Sequence, residues 1–346
     1  MIAANSAVPP PRVGVGDSPL ARFLAARAGA RRAVVQRAHV LGGGAIQQNW
    51  LIDVLLDDRL AELVLRCDGR STLAVSHSRA QEFALQRVAH AAGVTVAEPL
   101  WLCEDPAVIG APFFVMKRVA GTAAAARVVR DTLLGGERAT LAGRLGEQLA
   151  RIHAIAPPEP ELAFLPGPRT SPALDAIASN RALLDTLGAA PRPVLEWGLR
   201  WLERHAPARG EIVLCHHDFR TGNYMLDDDG ITAILDWEFA GWGHRAEDLG
   251  WFCAACWRFG AAALEAGGVG SRDAFYAGYE RASGVSVDPD AVTYWEVAAH
   301  VRWGVIALAQ ANRHLSGGEE SLELALTSHL VPELEFEILE LTSGEP

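Results

Sequence analysis

The stretch from Leu214 to Phe239, LCHHDFRTGNYMLDDDGITAILDWEF, constrains the fold more than any other part of the chain. Two short apolar, β-prone runs, EIVLC and ITAILDW, enclose a segment crowded with polar side chains. Polar groups without partners are costly inside a core, so such a segment belongs on a loop at the surface of a rigid scaffold, where catalytic groups are concentrated. The sequence therefore predicts a reaction centre between two short strands.

The spacing of the polar residues in this stretch is typical of phosphoryl transfer. Asp218 is followed after four residues by Asn223, and Asp236 lies at the end of the second apolar run. In kinases one carboxylate orients the acceptor hydroxyl, while an amide and a second carboxylate hold the magnesium ions that bridge the phosphates. The catalytic-loop pattern H-R-D-x-x-x-x-N is matched by His216, Asp218 and Asn223, with His217 at the arginine position. A metal-hydrolase HD pair is the competing interpretation, but that pair normally lies on a helix, whereas the flanking β-prone runs favour a loop.

HHDFRTGNYML followed by AILDWEFAG resembles the H-G-D-x-x-x-x-N loop and the I-D-W/F segment of the aminoglycoside phosphotransferase–choline kinase family. The resemblance extends over roughly residues 25–330, and it is strongest for the bacterial branch related to the kinase-like domain of some acyl-CoA dehydrogenase fusions. It implies ATP and Mg²⁺ as cofactors, a catalytic loop formed by Asp218 as the base with His216 and Asn223, and magnesium ligation by Asn223 and Asp236. For His216, a structural hydrogen-bonding role is favoured over a catalytic one. His217 stands where the family has glycine, which leaves the backbone conformation at that position open.

The pattern of apolar residues divides the chain into a strand-rich first part and a mostly helical second part. Five β-prone runs and one main amphipathic helix, SHSRAQEFALQRVAHAAG, precede residue 119. Helical patterns then cover ERATLAGRLGEQLARIHAI and roughly residues 172–187, 193–205 and 290–314. With the resemblance, this predicts an α+β, protein-kinase-like two-lobe fold. The N-lobe, residues 1–118, is a five-stranded antiparallel sheet with one main helix and a loose N-terminal arm, and the mostly helical C-lobe spans residues 119–346.

Three features of the N-lobe match elements that hold nucleotide phosphates in this fold. The first is a glycine-rich turn between the first two predicted strands, formed by Gly42, Gly43 and Gly44. Glycines let backbone N–H groups approach phosphates closely, although a plain hairpin turn also explains them. The second is Arg66, which matches the cation of the third strand. Lys117, at the predicted hinge, is the only lysine of the chain, so an arginine must take the place of the usual lysine. A surface arginine is the alternative interpretation. The third is Glu82, which matches the helix carboxylate that orients this cation; a solvated helix glutamate is the alternative interpretation.

The strand APFFVMKRVAG leads into the predicted hinge and would form one wall of an adenine site. By match to the family, Met116 lines the back of this site. The backbone carbonyl of Lys117 and the N–H of Val119 would bond to the edge of the adenine.

The acceptor is predicted from the long helix near the C-terminus. Trp295, Arg302 and Arg313 are 7 and 11 residues apart, which places them within about 20° of one line on a helix. An aromatic ring with two arginines suits an anionic or thioester-linked acceptor, such as a hydroxyacyl-CoA-like metabolite; arginines that reach from a partly buried helix to water are the alternative. An aminoglycoside kinase and a nucleotide-binding module without turnover are the other two functions that stay open.

Bulk composition excludes several other classes of protein. The net charge of −11 argues against a general nucleic-acid binder. No stretch approaches the roughly 20 apolar residues that a membrane helix needs. The first residues lack the basic and apolar regions of a signal peptide. We therefore expect a cytoplasmic protein whose partner is a small-molecule hydroxyl acceptor, with neither a nucleic acid nor a membrane as a partner.

Overall fold

A computed structural model of the chain describes residues 11–41, 47–68, 76–188, 191–207, 210–319 and 321–344. The chain divides into two units. Unit 1 comprises Met1–Gly121, Pro160–Phe164 and Thr232–Phe239. Unit 2 comprises Thr122–Glu159, Leu165–Ile231 and Ala240–Pro346. Two segments that follow residue 119 in the sequence thus belong to unit 1, and the predicted division of roles between residues 1–118 and 119–346 stays a prediction.

Unit 1 is built on an antiparallel sheet. The described residues of its first segment form α1 (Pro19–Ala28), β1 (Ala33–Leu41), β2 (Gln47–Leu56), β3 (Arg59–Asp68), α2 (Arg79–Ala91), β4 (Pro99–Cys103) and β5 (Phe113–Lys117). The strand order is β1-β2-β3-β5-β4. Arg66 near the end of β3 lies opposite Asn49 of β2 and Phe114 of β5. The five-stranded antiparallel sheet and the α+β class are therefore confirmed.

The residue at which α2 begins is set by its N-terminal cap. Ser78 accepts a hydrogen bond from the backbone N–H of Gln81, and the Gln81 side chain accepts one from the N–H of Ser78, which together form a capping box. The helix begins at Arg79, so Glu82 lies in its first turn, where a carboxylate is favoured by the helix dipole. The cap thus places a buried carboxylate at the N-terminal end of α2.

Unit 2 is mostly helical. It contains α3 (Ala125–Arg130), α4 (Arg138–His153), α5 (Pro172–Thr186), α6 (Pro193–His205), β6 (Ile212–Cys215), β7 (Tyr224–Leu226), β9 (Gly241–His244), α7 (Arg245–Cys253), α8 (Arg272–Ser283), α9 (Pro289–Leu315), α10 (Leu322–Leu326) and α11 (Val331–Thr342). The strand β8 (Ile231–Ile234) begins at the last residue of one unit 2 segment and continues along the chain into unit 1. The helical stretches predicted from periodicity agree with α4, α5, α6 and α9 to within a few residues.

Close helix packing in unit 2 depends on glycine. A Cβ atom at Gly278 of α8 would lie only 2.0 Å from the carbonyl oxygen of Gly143 on α4, and one at Gly146 would lie 2.2 Å from that of Phe275. Any side chain at these positions would force the two helices apart. This packing places His153, the last residue of α4, against Tyr279 of α8, with His153 Nδ1 at 2.9 Å from the tyrosine hydroxyl.

The long helix α9 lies among the other helices of unit 2. It packs against α5, α6, α7, α10 and α11. Among the described residues, no helix combines the length and the apolar character that are needed to cross a bilayer.

Candidate active site

Arg66 in unit 1 is the centre of a buried ion-pair network. Its Nη2 atom lies 2.8 Å from Glu82 Oε1 and 2.8 Å from Asp236 Oδ1. Arg66 is only 9% exposed. Burial alone would lower the pKa of Arg66, but the charges and hydrogen bonds of Glu82 and Asp236 outweigh it and raise that pKa. The guanidinium is therefore always charged, and the predicted pairing of Arg66 with Glu82 is present.

Arg79 is a member of this network that the sequence analysis missed. Its Nη1 atom pairs with Glu82 Oε2, and its Nε atom lies 2.9 Å from Asp68 Oδ1. Its Nη2 atom donates to the carbonyl oxygen of His77 at 3.0 Å. Arg79 lies three residues before Glu82, a spacing that puts both side chains on one face of a helix and could have revealed the pair. Glu82 is thus held between two arginines. We call Arg66, Arg79, Glu82 and Asp236 the Arg66 network.

Asp236 has an uncommon backbone conformation. Its φ is +65°, in the left-handed region that non-glycine residues rarely adopt. Glu238, two residues later, is 5% exposed; burial and then repulsion by Asp236 raise the pKa of Glu238 to about 7. The carboxyl groups of Asp236 and Glu238 therefore lie close together beside Arg66, and Glu238 is partly protonated near neutral pH.

The loop between β6 and β7 holds the second group of predicted residues, and we call residues 216–223 the Asp218 loop. His217 has a φ of +61°, so the position where the family has glycine keeps a left-handed conformation despite its side chain. Arg302 of α9 donates from Nη1 to the carbonyl oxygen of His217 at 2.9 Å. Positive φ at a residue with a side chain costs free energy, and the surrounding contacts must therefore hold it.

Asp248 in the first turn of α7 supplies most of these contacts. Its Oδ2 atom accepts the backbone N–H of His216 at 2.6 Å, and its Oδ1 atom accepts that of His217 at 2.8 Å. His153 Nε2 lies 3.2 Å from Oδ2, and His153 Nδ1 lies 2.9 Å from the hydroxyl of Tyr279. Burial would raise the pKa of Asp248, but the hydrogen bond and charge of His153 outweigh it and lower that pKa to about 2. A fully buried, ionised carboxylate thus fixes the backbone immediately before Asp218.

Asp218 is oriented by three side chains. Its Oδ1 atom accepts from Arg220 Nε at 3.0 Å and from Trp251 Nε1 at 3.1 Å. Its Oδ2 atom accepts from Asn223 Nδ2 at 2.6 Å. Asn223 Nδ2 also donates to the Asp218 carbonyl oxygen at 2.9 Å, so only Oδ1 of this amide can serve as a metal ligand. The structure therefore brings Asp218 and Asn223 together. His216 is fully buried, and its Nδ1 atom accepts the backbone N–H of Asp218 at 3.3 Å, which is a structural contact.

Two arginine–tryptophan pairs surround the Asp218 carboxylate, and the sequence analysis identified only Arg302 among them. The guanidinium of Arg220 lies 4.7 Å from the ring centre of Trp257, and that of Arg302 lies 4.6 Å from the ring centre of Trp251. The interaction of a guanidinium with an indole face is favourable. Here it also places two positive charges at the Asp218 loop.

Trp295, Arg302 and Arg313 of the predicted stripe each make separate contacts along α9. Trp295 is 2% exposed and stacks on His244 at 6.2 Å between ring centres, so it offers no open ring face to an acceptor. Arg313 pairs with Glu319. Because α9 packs against several helices, residues at different points along it contact different neighbours. Binding of the acceptor by Arg302 and Arg313 stays a prediction.

The remaining predicted nucleotide residues lie in unit 1 or outside the described residues. Gly42, Gly43 and Gly44 belong to a segment that the structure does not describe. Met116 is half-buried, and its sulfur accepts from Gln86 Nε2 at 3.6 Å. The backbone N–H of Lys117 donates to the carbonyl oxygen of Glu98 at 2.9 Å, and Val119 is half-buried two residues beyond the end of β5. Their contacts with adenine stay predictions.

Comparison with known proteins determines the family. The model of the phosphotransferase enzyme family, APH, matches residues 37–291. The chain belongs to this family. Acyl-CoA dehydrogenase family member 10 of Mus musculus is 28% identical over 216 residues, which are 60% of this chain and 20% of the mouse protein. The chain thus spans about a fifth of the length of this relative.

Solved structures show the same fold. A candidate aminoglycoside phosphotransferase from Ralstonia eutropha JMP134 superposes with a TM-score of 0.72 at 20% identity, over 89% of this chain and 92% of that one. Spectinomycin phosphotransferase APH(9)-Ia, solved with ADP and spectinomycin, gives a TM-score of 0.59 at 14% identity, over 93% and 98% of the two chains. The family and the protein-kinase-like fold that the sequence predicted are confirmed.

Proposed function

We propose that this chain is an ATP-dependent small-molecule kinase that transfers the γ-phosphate to a hydroxyl group. The observation that carries the proposal is the Asp218–Asn223 pair, which lies on a loop that a buried aspartate holds in place. Membership in a phosphotransferase family supports it, as does the ADP bound in the spectinomycin phosphotransferase structure. A nucleotide-binding module without turnover would have no need for this pair.

Asp218 would act on the acceptor hydroxyl. A general base must come within hydrogen-bond reach of the proton that it accepts, and each Asp218 oxygen already has donors. Arg220 is the donor with the most freedom, because its side chain is 27% exposed. We infer that the acceptor hydroxyl displaces Arg220 from Oδ1, while Trp251 and Asn223 keep the carboxylate oriented.

Arg66 would hold the nucleotide phosphates, with Glu82 and Arg79 fixing its direction. Arginine is a credible substitute for the lysine that kinases usually have, because its planar guanidinium can bind phosphate through two hydrogen bonds. Asp236 would exchange its contact with Arg66 for a contact with the metal.

The donor set fits magnesium. Asp236 offers a carboxylate and Asn223 an amide oxygen, and Mg²⁺ prefers oxygen ligands. When bound, the ion would supply charge neutralisation for the phosphate oxygens. Since Asn223 Nδ2 donates to Asp218, Oδ1 is the atom of Asn223 that would serve as the ligand.

We infer an anionic acceptor, such as a hydroxyacyl-CoA-like metabolite, from the charge around Asp218. Arg220 belongs to the Asp218 loop and Arg302 contacts it, and each guanidinium stacks on a tryptophan. Phosphate or carboxylate groups would form charge-assisted hydrogen bonds with these arginines. The ammonium groups of an aminoglycoside would be repelled by them. The resemblance of the chain to part of an acyl-CoA dehydrogenase family member is consistent with this choice.

The test is ADP formation from Mg-ATP with a panel of hydroxyacyl-CoAs, amino alcohols, sugars and aminoglycosides. We expect turnover with an anionic acceptor and its loss in Asp218→Ala. Efficient phosphorylation of aminoglycosides would contradict the acceptor assignment and favour an antibiotic kinase. ADP formation that persists in Asp218→Ala would contradict the assignment of the base.

A further inference from the structure

Three potential metal ligands converge behind the Asp218 loop. They are Cys215 Sγ at the end of β6, His217 Nε2 on the loop and Glu247 Oε2 in the first turn of α7, and all lie within 4.8 Å of one another. His217 Nε2 and Glu247 Oε2 are 3.5 Å apart. Ligands at the usual zinc distances of about 2.0–2.3 Å around a tetrahedral ion lie roughly 3.5 Å from each other. The three atoms therefore need only small side-chain movements to share one ion.

Gly243 of β9 leaves the space in which these atoms meet. A Cβ atom at this position would lie 2.8 Å from His217 Nε2, 3.0 Å from Cys215 Sγ and 3.0 Å from Glu247 Oε2. Any side chain at residue 243 would therefore collide with all three ligands. The three donor atoms therefore face one another across the space beside Gly243.

A second set of donors shares Cys215 but is less suitable. It combines Cys215 with His153 and Asp248, all buried. Both oxygens of Asp248 already accept backbone N–H groups of the loop, and His153 bridges Asp248 and Tyr279. Metal binding there would break the contacts that fix the Asp218 loop. The set with Glu247 leaves them intact.

We propose that Cys215, His217 and Glu247 form a binding site for Zn²⁺ or a similar divalent transition-metal ion, separate from the magnesium site. A thiolate, an imidazole and a carboxylate together favour zinc over magnesium, which prefers oxygen. Binding replaces the thiol proton of Cys215, which is released to solvent, and the resulting ligand charge of −2 matches the ion. The side chains of His217 and Glu247 are 19% and 16% exposed, so water can supply a fourth ligand.

The ion would connect two elements that position Asp218. His217 immediately precedes Asp218, and Glu247 immediately precedes Asp248, whose carboxylate holds the loop backbone. A bound ion would therefore join the loop to α7 through the side chains of His217 and Glu247. Asp248 joins the same two elements through the backbone N–H groups of the loop. This inference does not depend on which acceptor the protein uses.

The test uses the full chain after removal of metal with a chelator, titrated with Co²⁺ in the presence of excess Mg²⁺. We expect one Co²⁺ per chain, with the thiolate-to-cobalt charge-transfer absorption of a cysteine ligand, and displacement of that Co²⁺ by Zn²⁺. Since losing even an outer-shell partner costs roughly 10–100-fold in metal affinity, Cys215→Ser should weaken Zn²⁺ binding by at least about 100-fold. Cys256→Ser is the matched control, because Cys256 lies in the same unit outside the cluster, and it should keep the absorption.

Glu247→Gln provides a second variant if Cys215→Ser does not fold, and it should weaken Zn²⁺ binding while leaving the thiol present. The proposal is overturned if the charge-transfer absorption is missing, or if Cys215→Ser or Glu247→Gln binds Zn²⁺ as tightly as the wild type. His217 and Glu247 would then form an ion pair only.

Discussion

The side chains of the Arg66 network and the backbone of the Asp218 loop are held in place by different means. In the network, side-chain charges pair with one another: Arg66 contacts Glu82 and Asp236, and Arg79 contacts Glu82. In the loop, a buried carboxylate, Asp248, accepts backbone N–H groups. Phosphates and metal ions can replace one partner of a side-chain ion pair. They cannot replace the buried Asp248 carboxylate as the acceptor of the backbone N–H groups. The network is thus suited to exchange partners with a ligand, and the loop to keep one geometry throughout.

Removing the carboxylate that supports the Asp218 loop should have the largest effect on stability. Asp248→Asn should cost on the order of 3–5 kcal/mol of stability, because an amide cannot accept from His153 and from both backbone N–H groups with charge-assisted strength. Urea unfolding followed by tryptophan fluorescence measures the loss. Asp273→Asn, a change at an exposed first-turn aspartate of α8, is the control and should cost less than about 1 kcal/mol. A loss in Asp248→Asn no larger than in this control would mean that the loop does not depend on Asp248.

The network is tested by a double-mutant cycle in ATP affinity. Arg66→Ala and Glu82→Ala should each weaken binding, and the double variant should lose about 1–3 kcal/mol less than the sum, because either change dismantles one unit. Calorimetric titration with a non-hydrolysable ATP analogue gives the three values. Arg87→Ala serves as the control, since Arg87 is on the same helix but pairs with Glu161 at the surface, and it should leave affinity unchanged. Additive losses would show that Arg66 and Glu82 act independently.

The smallest effect concerns the left-handed backbone at His217. His217→Gly and His217→Ala both remove the imidazole, so the difference between them isolates the backbone. Glycine adopts positive φ without a Cβ penalty, and we expect His217→Gly to be more stable than His217→Ala by about 1 kcal/mol. Thermal unfolding of the two metal-free variants compares them. Equal stability would indicate that the loop relaxes to another conformation when the side chain is short.

The parts of the structure that follow local rules were predictable from the sequence. Apolar periodicity and turn residues gave the strands and main helices, and the matches to the family gave the pairing of Arg66 with Glu82. Contacts between residues distant in sequence were not predictable. The pairs Arg66–Asp236 and Arg302–His217 join residues 170 and 85 positions apart, and no periodicity encodes them. The burial of Trp295 was not predictable either. Helical spacing places Trp295 and Arg302 on one face of a helix, but it does not show which neighbouring residues cover the tryptophan.

Calorimetric titration of wild type, Asp218→Ala and Asp236→Ala with a non-hydrolysable ATP analogue, with and without Mg²⁺, separates the roles of the two aspartates. Asp236 is assigned to the exchangeable network and to the metal, whereas Asp218 is assigned to the acceptor. We therefore predict that Asp218→Ala binds the nucleotide nearly as tightly as wild type and keeps its Mg²⁺ dependence. Asp236→Ala should lose both affinity and Mg²⁺ dependence, because the phosphates lose their counter-charge. Tight, Mg²⁺-dependent binding by Asp236→Ala would contradict the account.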